Sequence, residues 1–175
     1  MNQKGIAPLV IVAVVAAIAV VAGAGVYVAT RSSSNTGENN GNGGGGGGGD
    51  ISGASSLQFH VSLTGENYSS DYTLQAKNIG TSNLMMRIDG TFVGQDLIYI
   101  VNGVQQKVWI YEGGTWVDLS SSYSTYWSQW SQAFAGYQTD LSGWTGGSWT
   151  SSDGSVTIND VQVNPSLSDS LFEHS

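Results

Sequence analysis

The chain has 175 residues, 25 of them glycine, with no cysteine and a net charge of -8. The missing cysteines exclude a disulfide scaffold, a thiol nucleophile, a cysteine-ligated metal and a lipid-modified N-terminal cysteine. In residues 54–175 only Lys77, Arg87 and Lys107 oppose eleven acids, all of the chain's thirteen except Glu38 and Asp50. Nucleic acid and anionic leaflets need clustered Lys and Arg, so neither is an expected partner.

Residues 6–30 read IAPLVIVAVVAAIAVVAGAGVYVAT, 25 residues without a charge between Lys4 and Arg31. Hydrocarbon leaves backbone groups no partner except one another, so such a run predicts a membrane-spanning helix. At the helical rise it reaches roughly 37 Å, enough for a hydrocarbon core of about 30 Å with some tilt. Ala22-Gly23-Ala24 weakly fits the cleavage site of a secretory signal, but the run is too long for one. Residues 1–31 are therefore read as an uncleaved single-pass anchor. Lys4 and the terminal amine outweigh Arg31, which puts the N-terminus inside and the rest outside the cell. Lys4-Gly5 directly before the apolar run also resembles the leader junction of type IV pilin-like proteins, which are cut after that glycine. Val10 stands where bacterial members usually carry a glutamate. A mature chain beginning at Ile6 would mark a filament subunit; an intact start marks an anchored head.

Residues 32–53 hold seven consecutive glycines at 43–49. A phosphate-cradling loop needs a strand before, a helix after and usually a lysine, none of which the sequence supplies. The segment reads as a flexible tether spanning roughly 26 Å root-mean-square.

Residues 54–175 are long enough for one domain with its own core. Leu57, Phe59, Val61 and Leu63 alternate with polar residues, a half-buried strand. Tyr72, Leu74 and Ala76, then Leu84, Met86 and Ile88, repeat the pattern. Richer strands follow at 96–102 and 104–111, with Asn102-Gly103 between them reading as a tight hairpin turn. Gly113-Gly114 turns the chain into a sixth strand at 115–118. The period then changes. Tyr123, Tyr126, Trp127, Trp130, Phe134 and Tyr137 form one stripe of a helix, with Asp118 or a serine at 120–122 as its cap and Gly136 as its end. A Gly/Trp-rich loop, a strand at 155–163 and a closing helical turn at 166–172 complete the chain.

Both faces of 97–101 and 108–111 are apolar, as in strands covered on two sides. The helix covers one side; a second layer, a ligand or the closing segments must cover the other. The fold class is α+β, a curved antiparallel half-barrel sheet packed on the aromatic helix and preceded by the transmembrane helix. A meander, then KVWIYEGGTWVDLS, a helix and a final VQVNPSLSDSLF resemble the lipoprotein-carrier superfamily of LolA and LolB sorting proteins and LprG-type carriers. That resemblance implies an incomplete barrel around a helix, with an apolar cavity for acyl chains. The chain departs from it in lacking the anchor cysteine of LolB and LprG, and in carrying a helical anchor where LolA has none.

Catalytic patterns are scarce. His60 and His174 are the two histidines, and both read as surface residues. No HExxH, GxSxG or two-histidine metal spacing occurs. Asp118, Asp140, Asp153 and Asp160 qualify as glycosidase carboxylates by type alone, and read more naturally as turn and cap residues. No cofactor or metal is expected. The six tryptophans and seven of the eight tyrosines fall in the head, which suits a core, an apolar cavity, or a glycan platform at Trp144 and Trp149. Phe59, Met86, Tyr99, Trp109, Trp127 and Trp130 are the expected wall of a lipid-binding cavity. Asn67-Tyr68-Ser69 is a glycosylation sequon in a turn. The expected function is non-catalytic binding of a lipid or other apolar ligand outside the membrane. The rivals are a pilin-like subunit and a carbohydrate-binding or glycan-hydrolysing surface domain.

Overall fold

The computed structural model describes residues 51–65, 68–92, 94–140, 149–150 and 156–174. The apolar run at 6–30, the glycine tether, Asn67, Trp144 and Asp153 lie outside them, as do the side chains of Phe134, Tyr137, Asp140 and Trp149. Among the described residues no helix is long and apolar enough to cross a membrane.

The expected meander forms. Strands β1 (Ser56–Gly65), β2 (Tyr68–Lys77), β3 (Met85–Phe92), β4 (Gln95–Asn102), β5 (Lys107–Glu112) and β6 (Thr115–Asp118) pair in sequence, every pair antiparallel. Their alternation places a continuous row, Phe59–Leu74–Ile88–Tyr99–Ile110, across five strands on one face. Each member is at most 4% exposed. Strand β7 (Trp149–Thr150) pairs with β8 (Val156–Val163), and β8 returns to the free side of β1. The order is β6-β5-β4-β3-β2-β1-β8-β7, an open sheet that does not close into a barrel. In the β1–β8 ladder, two steps from Gln58 to His60 oppose three from Asn159 to Gln162. The extra residue is absorbed where Asp160 adopts a left-handed φ of 53°.

Two local expectations change. The β4–β5 connection is four residues, not a two-residue Asn-Gly turn, because Asn102 pairs with Lys107 and Gln106 takes the left-handed conformation (φ 55°). Asn102 is instead a buried strand residue whose Oδ1 accepts from the Gln105 amide at 2.9 Å. Gly103 is needed for close approach: a Cβ there would sit 2.4 Å from the Leu84 carbonyl oxygen. The helix α1 (Tyr123–Asp140) also runs through Gly136 rather than ending there. A glycine inside a helix costs only about 1 kcal/mol and does not by itself stop it. Its entry is a 3-10 turn, Ser120–Ser122, held by Asp118 Oδ1 accepting from the Ser120 amide at 2.8 Å.

The helix covers one face of the sheet, where Trp130 is fully buried and Tyr123, Tyr126 and Trp127 pack half-buried against the core. The closing segment covers the other face. There Met85, Ile100 and Trp109 meet Phe172, which lies in a 3-10 turn, Asp169–Phe172, and is 0% exposed. Side chains of three neighbouring strands hold this strap by its backbone: Lys77 donates to the Leu167 carbonyl at 3.0 Å, Arg87 to that of Leu171 at 3.2 Å and Asn102 to that of Phe172 at 3.0 Å.

Candidate functional site

Register decides which of the expected wall residues meet. Phe59, Met86 and Tyr99 share the helix-covered face with Trp127 and Trp130. Trp109 does not: it pairs with Ile100 on the opposite face and packs under the strap. Antiparallel pairing sets odd-numbered Tyr99 opposite even-numbered Ile110, so Trp109 necessarily points the other way. Phe59, Met86, Tyr99 and Trp130 are 4%, 0%, 1% and 0% exposed. All four are closed off from solvent within one core.

Among the described residues, several polar groups are buried without partners. The Tyr99 ring meets Tyr126 edge-on and Trp130 at a tilt, with centroids 6.1 Å apart in each case. Burial pushes the Tyr99 phenol well above its ordinary pKa, partly offset by the neighbouring Trp130 indole. An indole supplies only an N–H, so the Tyr99 O–H still lacks an acceptor. Tyr72, stacked on Phe92 at 4.8 Å, buries a hydroxyl with no partner, and burial likewise raises its pKa. The Trp127 indole N–H is buried without an acceptor on the same side. Each such group costs roughly 1–3 kcal/mol relative to a satisfied one. Tyr72 escaped the sequence reading because nothing in its spacing distinguishes it from the other core aromatics.

The opposite face over β8, β1 and β2 is polar. His60 places Nε2 2.7 Å from Asp71 Oδ1 and Nδ1 3.1 Å from Asn159 Oδ1, and Ser62 donates to Asp71 Oδ2 at 2.8 Å. His60 is thus a half-buried cross-strand link rather than a free surface residue. Ser62 bonds to the carboxylate and not to the imidazole, so the trio lacks the nucleophile–base contact of acyl-transfer chemistry. Desolvation opposes ionisation of Asp71, but its bonds from Ser62 and His60 prevail and hold its pKa below the usual carboxylate value. His174 stacks on Trp116 at 4.4 Å, a packing contact of the strap. Asp118 accepts from the Ser120 amide and pairs with Lys107 at 3.6 Å, but it precedes the cap position of the entry turn, which Leu119 holds without a side-chain hydrogen bond. Asp160 sits in the β8 bulge.

Every basic residue of the described head is neutralised locally: Lys77 by Asp169, Arg87 by Asp89, Lys107 by Asp118. Among the described residues no three His, Cys, Asp or Glu side chains gather as a metal site. Comparison of the chain with family models, with curated proteins and with solved structures finds no match.

Proposed function

We propose that the chain is a membrane-tethered, extracytoplasmic binding protein, non-catalytic, whose half-barrel takes a lipid or similar apolar ligand between helix α1 and the sheet. The observation that carries this reading is the set of buried, acceptor-less donors on the helix-covered face: the Tyr72 and Tyr99 hydroxyls and the Trp127 indole N–H. An otherwise apolar wall carrying a few polar groups suits a ligand with a hydrocarbon body and an oxygen acceptor, such as an ester or carboxyl group. Such an acceptor would satisfy groups that the closed protein leaves unmet, which gives the helix a reason to open.

The full chain in phospholipid nanodiscs, photolysed with a diazirine-bearing palmitic acid, tests this. Cross-links within Leu97, Tyr99, Trp127 and Trp130 are the expected result. Cross-links confined to the apolar run at 6–30 would mean that the probe meets only the anchor, and the reading would fall.

A further inference from the structure

A second place in the head has unspent hydrogen-bonding groups, away from the helix. The β4–β5 ladder stops at Leu97↔Glu112. Beyond it, Gly113 and Gly114 both take left-handed φ (58° and 83°) and turn the chain toward β6. Gln95 and Asp96 stay paired only to β3, opposite Phe92 and Thr91. The two segments therefore splay, leaving a surface cleft of about 330 Å³ lined by Gln95, Asp96, Tyr111, Gly113 and Gly114.

We infer that this cleft binds a neutral saccharide unit. Three features specify that chemistry. Asp96 is exposed and has no ion pair or hydrogen bond to a described residue, whereas Asp71, Asp89, Asp118 and Asp169 are all committed elsewhere. Tyr111 supplies a half-buried ring already propped in place: it leans on Trp116 (5.3 Å, 52°), which stacks on His174 (4.4 Å, 18°). A pre-set aromatic ring suits the C–H side of a pyranose. Finally, the lining mixes acceptors with donors, the Gln95 amide and the two glycine N–H groups among them. A hydroxyl-rich ligand uses both kinds, whereas an organic cation uses only the acceptors. With no basic residue in the lining and one unpaired carboxylate, an anionic sugar is repelled.

The test is saturation-transfer NMR on the full chain in nanodiscs, with the methyl glycosides of glucose, galactose, mannose and N-acetylglucosamine as separate probes. Tetramethylammonium and methylguanidinium serve as cationic competitors. One glycoside should bind with its ring C–H protons most strongly saturated, and Tyr111→Ala should weaken it about tenfold or more. Asp96→Ala should do the same without unfolding the head, because that side chain holds nothing in place. Binding of no glycoside, equal binding in Asp96→Ala, or preference for either cation overturns the inference. The cleft lies outside the helix-covered face, so its failure leaves the apolar-ligand reading standing, and the converse holds.

Discussion

Replacing Phe172 by alanine tests whether the C-terminal strap closes a real second core. Phe172 is 0% exposed and shares its cluster with Met85, Ile100 and Trp109. Removing a buried phenyl ring costs about 3–5 kcal/mol, from lost transfer energy and the cavity left behind. The low end applies here, because Leu167 and Leu171 beside it can shift into the void. About 3 kcal/mol in a domain of this size lowers the melting temperature by roughly 12 °C. The control is Asp169→Asn, which removes the ion pair with Lys77. Asp169 is 72% exposed, so solvent screens the pair and its loss costs less than about 1 kcal/mol. Thermal melts of the full chain followed by near-ultraviolet circular dichroism read both, since Trp109 reports directly on the plug. If Asp169→Asn costs as much as Phe172→Ala, the strap is held by charge, and the second core is no core.

Other expectations follow from single contacts. Gly90→Ala should destabilise the head by more than about 3 kcal/mol or prevent folding, since the new Cβ would lie 2.2 Å from the Asp71 carbonyl oxygen and 2.5 Å from the Tyr72 Cα; urea unfolding measures it. Tyr99→Phe removes a hydroxyl that lacks an acceptor among the described residues but faces the Trp130 indole, so stability should change by less than about 1 kcal/mol while the yield of palmitic-acid cross-links falls. The lowered pKa of Asp71 fixes the sign of a pH effect. Its contribution is full above the ordinary carboxylate pKa and disappears as pH falls through the lower folded value. Asp71→Asn should therefore reduce stability at neutral pH and flatten the acid limb below about pH 4, read as urea midpoint against pH.

The strands and the helix were legible because each carries its apolar residues at its own period: odd positions in β1, even ones in β2, and the 3–4 spacing from Tyr123 to Trp130. So was the need for cover on both faces of β4, met by α1 and the strap. What escaped was long-range. Asn102 looks like a turn residue, but its amide is claimed by Phe172, seventy positions later. Trp109 looks like a companion of Tyr99 until register is worked through. The Asp160 bulge has no local signature, since it exists only by comparison with β1. The saccharide cleft is equally silent in sequence. Gln95, Asp96 and Tyr111 form no motif and are gathered only because two left-handed glycines pull a turn away from its neighbour.

The position of β1 has a mechanical consequence. The chain enters the head through Ile51 and Ala54, 1% and 2% exposed, and passes directly into a strand clasped by β2 on one side and β8 on the other. The Asn164 side chain fastens that doorway, accepting from the Ser55 amide at 2.8 Å. A force directed along β1 would load both flanking ladders in shear, so that they would fail together instead of unzipping bond by bond.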